Sequence, residues 1–108
     1  MREKILINAR IIDPSQKLDC IGGLVIDVNG KVKAIGKNID NKIASKNAEI
    51  IDIKKNVLMP GIVDMKTFVG EPGYEYKENF RTLSQAALAG GVTSIVTMPN
   101  TKPVIDNV

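Results

Sequence analysis

At 108 residues, 44% hydrophobic and 25% charged, the chain has the composition of a soluble globular protein with one modest core, neither disordered nor fibrous. Its net charge of +3 comes from lysines interleaved with Asp and Glu and few aromatic residues, which argues against nucleic acid as a partner. It has no histidine and one cysteine, so the commonest neutral-pH base and zinc ligand is missing and an internal disulfide is excluded.

No apolar run approaches the roughly 20 residues needed to cross a bilayer. The charged start Met1-Arg2-Glu3-Lys4 leads into a strand-like segment and not a signal peptide, so a cytoplasmic location and no membrane partner are expected. The lone Cys20 fits a reducing compartment and is read as chemically inert.

Residues 4 to 12 are rich in β-branched side chains and stop at the turn signal Asp13-Pro14-Ser15, which predicts a first strand. Gly22-Gly23 then introduces Leu24 to Val28, which meets Lys31 to Gly36 across Asn29-Gly30, a pair that tolerates two positive φ angles. A hairpin is expected there. A polar linker from Lys37 to Asn47 precedes a short strand over Glu49 to Ile53 and a connection into Val57-Leu58-Met59, completing a small sheet.

From Pro60 the pattern becomes strand, helix, strand. The strand is expected over Ile62 to Val69, the helix from about Tyr76 to Ala89 on a 3.6-residue recurrence of Phe80, Leu83, Ala87 and Leu88, and the second strand over Val92 to Met98. Gly90-Gly91 supplies the helix stop. Two strands joined in this way should be parallel, with a right-handed crossover. One such βαβ unit cannot cover its own faces, and a (β/α)8 barrel takes about 250 residues. The chain therefore reads as the N-terminal part of a longer protein; a natural 108-residue domain would leave exposed apolar edges.

On the strand from Ile62, alternation places Ile62, Asp64, Lys66 and Phe68 on one side. Two metal ligands at positions 66 and 68 could close on one divalent ion, but an ammonium repels a cation and a phenyl ring has no lone pair. Locally, a Lys and a Phe at a strand end are ordinary edge and packing residues. Glu71, Glu75 and Glu78 are read as loop and helix N-terminal residues, where negative charge favours the helix dipole. Neither Gly22-Gly23 nor Gly90-Gly91 matches a nucleotide-binding motif.

The segment Pro60-Gly61-Ile62-Val63-Asp64-Met65-Lys66-Thr67-Phe68-Val69-Gly70-Glu71-Pro72-Gly73 resembles the first barrel strand of dihydroorotases, in the amidohydrolase superfamily. There the pattern runs Pro-Gly, two apolar residues, Asp, an apolar residue, His-x-His, then Leu-Arg-Glu-Pro-Gly. Ala89-Gly90-Gly91-Val92-Thr93 and Met98-Pro99-Asn100-Thr101-Lys102-Pro103 are similar to the same branch, and Ile7 to Pro14, Gly22-Gly23 and Ala34-Ile35-Gly36 to the superfamily's accessory sheet.

The resemblance implies an α/β fold: residues 1–56 as half of the accessory β-sandwich and residues 57–108 as the truncated start of a TIM barrel. It implies a cyclic amidohydrolase of pyrimidine biosynthesis, interconverting carbamoyl-aspartate and dihydroorotate with zinc as cofactor. Carried over by position, Lys66 and Phe68 stand where the family has its zinc-binding histidines, and Gly70 where it has the Arg that grips the substrate carboxylate. Asp64 matches the strand Asp, and Asn100 matches the Asn that shares the carboxylate grip. Zinc is not expected to bind these residues, and the 108-residue chain is expected to be inactive alone. The implied partners are the remainder of its own barrel, aspartate carbamoyltransferase and a second copy in a homo-oligomer. The alternative implied role is a catalytically silent homologue serving as structural partner of that transferase.

Overall fold

The computed structural model describes residues 2–43 and 45–107, and the chain divides into two compact units, Met1–Pro60 and Gly61–Val108. In the first, β1 (Lys4–Asp13), β2 (Leu18–Ile26), β3 (Val32–Gly36), β4 (Glu49–Asp52) and β5 (Val57–Leu58) form one five-stranded sheet. Its order is β3-β2-β1-β4, with β5 also paired to β1. The strand β1 is the spine of this unit. It pairs antiparallel with β2 and parallel with β4 along its first half and β5 along its second.

The sharing of β1 has a local cause. Asn8 adopts φ 55, and the β1–β2 register shifts between Leu6 and Ala9. The Asn8 carbonyl accepts the Lys55 N–H at 2.6 Å, and Arg10 donates its N–H to Asn56 O at 3.0 Å, so the turn between β4 and β5 seats on that bulge. Alternate side chains of β1 then point inward. Ile5, Ala9 and Ile11 are fully or almost fully buried, and Ala9, Ile11 and Cys20 pack with Leu18, Ile35, Ile53 and Leu58.

The expected turn at Asp13-Pro14-Ser15 is present as a short 3-10 helix, Pro14–Gln16. The Asp13 carboxylate accepts from the Ser15 N–H at 3.0 Å, the Ser15 hydroxyl at 2.6 Å and the Gln16 amide at 2.7 Å. The hairpin is also present, but β2 begins at Leu18, not at Leu24, and runs through both glycines. Its turn differs as well. Only Gly30 takes a positive φ, 80, because Asp27 closes a wider loop: its carboxylate accepts the N–H groups of Asn29 and Lys31. The strand β5 extends the first sheet, so Val57 and Leu58 lie with the first unit and the division falls after Pro60.

The second unit is β6 (Ile62–Thr67), α1 (Phe80–Ala89) and β7 (Val92–Thr97), with β6 and β7 parallel as expected and α1 packed on β7. The helix starts at Phe80, four residues later than the expected start near Tyr76. Asn79, at φ −137, caps it: its side chain accepts the Thr82 N–H at 3.0 Å while Thr82 Oγ1 accepts the Asn79 N–H at 3.2 Å. Residues 74–78 instead form a turn on the Tyr74 carbonyl, which accepts the N–H groups of Lys77 and Glu78. Leu83 is the helix's buried residue, whereas Phe80 and Leu88 are 47% and 67% exposed. Gly90 and Gly91 end the helix, with the Gly91 N–H donating to Leu88 O at 3.0 Å. Among the described residues, no helix is long and apolar enough to cross a membrane.

Candidate functional site

Because β6 and β7 are parallel, their C-terminal ends lie together, joined by the Met98 N–H donating to Thr67 O at 2.8 Å. Lys66, Phe68 and Gly70 lie at or just past this end of β6 and Asn100 lies beyond β7, while Asp64 is in the middle of β6. In parallel α/β architectures that end is where ligands are met.

The expected alternation does not run through to Phe68. The β6–β7 register shifts between Asp64 and Thr67, so β6 carries an extra residue there, and the strand ends at Thr67. Asp64 turns its carboxylate onto its own chain, accepting the Lys66 N–H at 3.0 Å. Lys66 is exposed, and Phe68, beyond the ladder, packs its ring 6.3 Å from that of Tyr74 at 52°. Tyr74 in turn lies 6.4 Å from Tyr76, and the Lys77 ammonium sits 5.5 and 5.6 Å from those two rings. Phe68 itself is 38% exposed, and the cluster of Tyr74, Tyr76 and Lys77 beside it was not anticipated from the sequence.

Gly70 is buried at φ 74, and its carbonyl accepts the Tyr74 N–H at 2.7 Å. The glutamates that follow serve the loop and helix. Glu71 accepts the Phe80 N–H at 3.0 Å and Glu78 accepts the Asn79 N–H at 3.3 Å, both at the start of α1. Glu75 accepts the Gly73 N–H at 2.9 Å, and that bond holds its carboxyl below the usual range. Lys102 donates its N–H to Pro72 O at 2.9 Å, bringing the segment after β7 against the same loop. Asn100 is exposed, while its neighbour Thr101 is buried and donates its hydroxyl to Pro103 O at 2.9 Å.

Zinc, which the dihydroorotase resemblance implies, does not fit the residues here. A lysine side chain at 66 is a poor partner for a cation, Phe68 offers no lone pair, and the Asp64 carboxylate is turned to backbone. Among the described residues, no group of three or more His, Cys, Asp or Glu side chains could hold a metal ion. A buried, unpaired hydroxyl does sit between the two positions, on Thr67.

No family model matches the chain. Known dihydroorotases do: that of Syntrophus aciditrophicus is 48% identical over 105 residues, 96% of this chain and 24% of the relative. That of Ehrlichia canis is 46% identical over 103 residues, 94% of this chain and 23% of the relative. That of Aquifex aeolicus is 44% identical over 107 residues, 99% of this chain and 24% of the relative. The chain thus spans about a quarter of the length of the curated relatives it matches. Among solved structures, the L-hydantoinase (dihydropyrimidinase) from Arthrobacter aurescens matches with a TM-score of 0.80 and 27% identity, over 96% of this chain and 22% of that one. A sheet followed by strand, helix and strand fits the accessory β-sandwich and the start of the barrel in that architecture. Over the stretch it spans, the chain is similar to the dihydroorotases and to a hydantoinase of the amidohydrolase superfamily, with Lys66 and Phe68 at the positions where the resemblance implies the His-x-His pair.

Proposed function

We propose that the chain is part of a dihydroorotase-like cyclic amidohydrolase of pyrimidine biosynthesis, working in the cytoplasm, and that these 108 residues hold no zinc and do not catalyse alone. The observation that carries the dihydroorotase-like role is the 41–48% identity to dihydroorotases along nearly the whole chain. The donor set at the β6 tip supports the inactivity. Catalytic ligands and the remainder of the barrel would have to come from residues outside this stretch, with Asn100 as its one substrate contact. The purified chain should neither hydrolyse dihydroorotate nor close carbamoyl-aspartate, with zinc present or absent. Turnover in either direction above a blank would overturn the proposal.

One feature favours a second reading, a catalytically silent homologue that acts as structural partner of aspartate carbamoyltransferase. Both metal-ligand positions and the carboxylate position implied by the resemblance are replaced, by Lys66, Phe68 and Gly70, as in a site under no demand to react. Co-purification with the transferase in a protein without bound zinc supports this reading. Stoichiometric zinc with turnover in the full-length protein excludes it.

A further inference from the structure

We infer that position 70 is closed to any side chain, so that the carboxylate-gripping arginine of the family cannot be restored in this chain by substitution. A Cβ built on Gly70 would lie 2.6 Å from the Glu78 carbonyl oxygen and 3.0 Å from that of Tyr74. Both obstacles are backbone atoms, so no side-chain rotation relieves them. The backbone is also held in place. Tyr74 donates to Gly70 O, Lys77 and Glu78 donate to Tyr74 O, and the Glu71 and Glu78 carboxylates accept the N–H groups of Phe80 and Asn79. Moving Glu78 O aside would disturb the loop and the capped start of α1 together. Gly70 is thus a requirement of the 70–78 loop and not merely an arginine deleted. Restoring histidines at 66 and 68 would leave the carboxylate position shut.

The inference rests on the reading of position 70 as the family's arginine position, but its test concerns the fold and is independent of activity. Gly91 provides an internal control, because it has nearly the same φ, 79, with nothing within 4 Å of a built Cβ, against φ 74 at Gly70. Gly91→Ala therefore reports the cost of the left-handed backbone alone, and Gly70→Ala reports that cost plus the collision. In thermal unfolding of the 108-residue chain, the Gly70→Ala midpoint should fall at least about 5 °C below that of Gly91→Ala. Hydrogen exchange at the Tyr74 and Lys77 amides should speed up in Gly70→Ala and stay unchanged in Gly91→Ala. Gly70→Arg should fall further or fail to fold. Equal midpoints for the two alanine variants, unaltered exchange at Tyr74, or a Gly70→Arg chain as stable as the parent would each overturn the inference.

Discussion

The Phe80 backbone N–H donates to a Glu71 carboxylate oxygen at 3.0 Å, across nine residues of sequence, and so ties the end of the β6 loop to the first turn of α1. Glu71, whose negative charge suits a helix N-terminus, thereby acts as a cap for α1. Asn79 and Thr82 complete the cap from the helix side.

The two caps should be separable by mutation. Asn79→Ala removes the acceptor for the Thr82 N–H and should cost about 1 kcal/mol of stability, within the range of N-cap deletions. Glu71→Gln keeps an acceptor oxygen but removes the charge, and should cost about 0.3–1 kcal/mol, less at high salt. Urea unfolding at low and at high salt checks both. A Glu71→Gln loss that does not shrink with salt would mean that the charge is not what Glu71 contributes.

Acid should weaken the first unit through Asp13. The Ser15 hydroxyl and the Gln16 amide hold its carboxyl below the usual range, although its burial pulls the other way. A group lowered on folding adds stability above its unfolded value, near ~3.9, and loses it as pH falls through the folded value. Asp19, held down by Arg10, and Asp52, held down by the Lys54 N–H, act in the same sense. The thermal midpoint should be flat from about pH 7 to 5 and fall below about pH 4. Asp13→Asn should start from a lower midpoint at neutral pH and fall less steeply in acid; an equally steep fall would remove Asp13 from the account.

The exposed side chains of β6 make a third expectation. Ile62, Val63 and Met65 are 50%, 54% and 70% exposed, on a parallel pair of strands of the kind ordinarily covered on both faces. Such a surface invites association. Light scattering from the chain should rise with concentration, and the double variant Val63→Lys, Met65→Lys should scatter less at an unchanged circular dichroism spectrum. Equal scattering from both proteins would locate the association elsewhere, for example at Ile21 or Val32 in the first unit, which are 59% and 60% exposed.

These particulars also show which features local sequence could reveal. Strands, hairpin, helix stop and the parallel βαβ order were legible because period and turn chemistry are local properties. The late start of α1 was not, since apolar recurrence alone does not mark where a helix begins, and Asn79 and Thr82 decide the cap between themselves. The bulges at Asn8 and between Asp64 and Thr67 depend on which strand lies alongside, and alternation along one strand is silent about that. At the site, the residue substitutions at 66, 68 and 70 were plain. The ring packing of Phe68 on Tyr74 and the collision waiting at Gly70 arise from a loop folding back, which no spacing rule encodes.

Restoring the two histidines gives the sharpest test of what the bulge does. In Lys66→His, Phe68→His, two imidazoles would stand at the family's spacing, but Phe68 lies past the last ladder residue, Thr67, and an extra residue interrupts the strand before it. The rings would not be fixed on one face, and two ligands without further donors make a weak zinc site. Zinc at 100 times its dissociation constant would stabilise the chain by about 2.7 kcal/mol, so a formed site would be conspicuous in a melt. The double variant should instead keep its midpoint within about 1 °C when zinc is added, and retain no stoichiometric zinc after desalting. A midpoint rising several degrees with zinc would mean that β6 still presents positions 66 and 68 together, and that the side chains alone, not the register, separate this chain from a metal site.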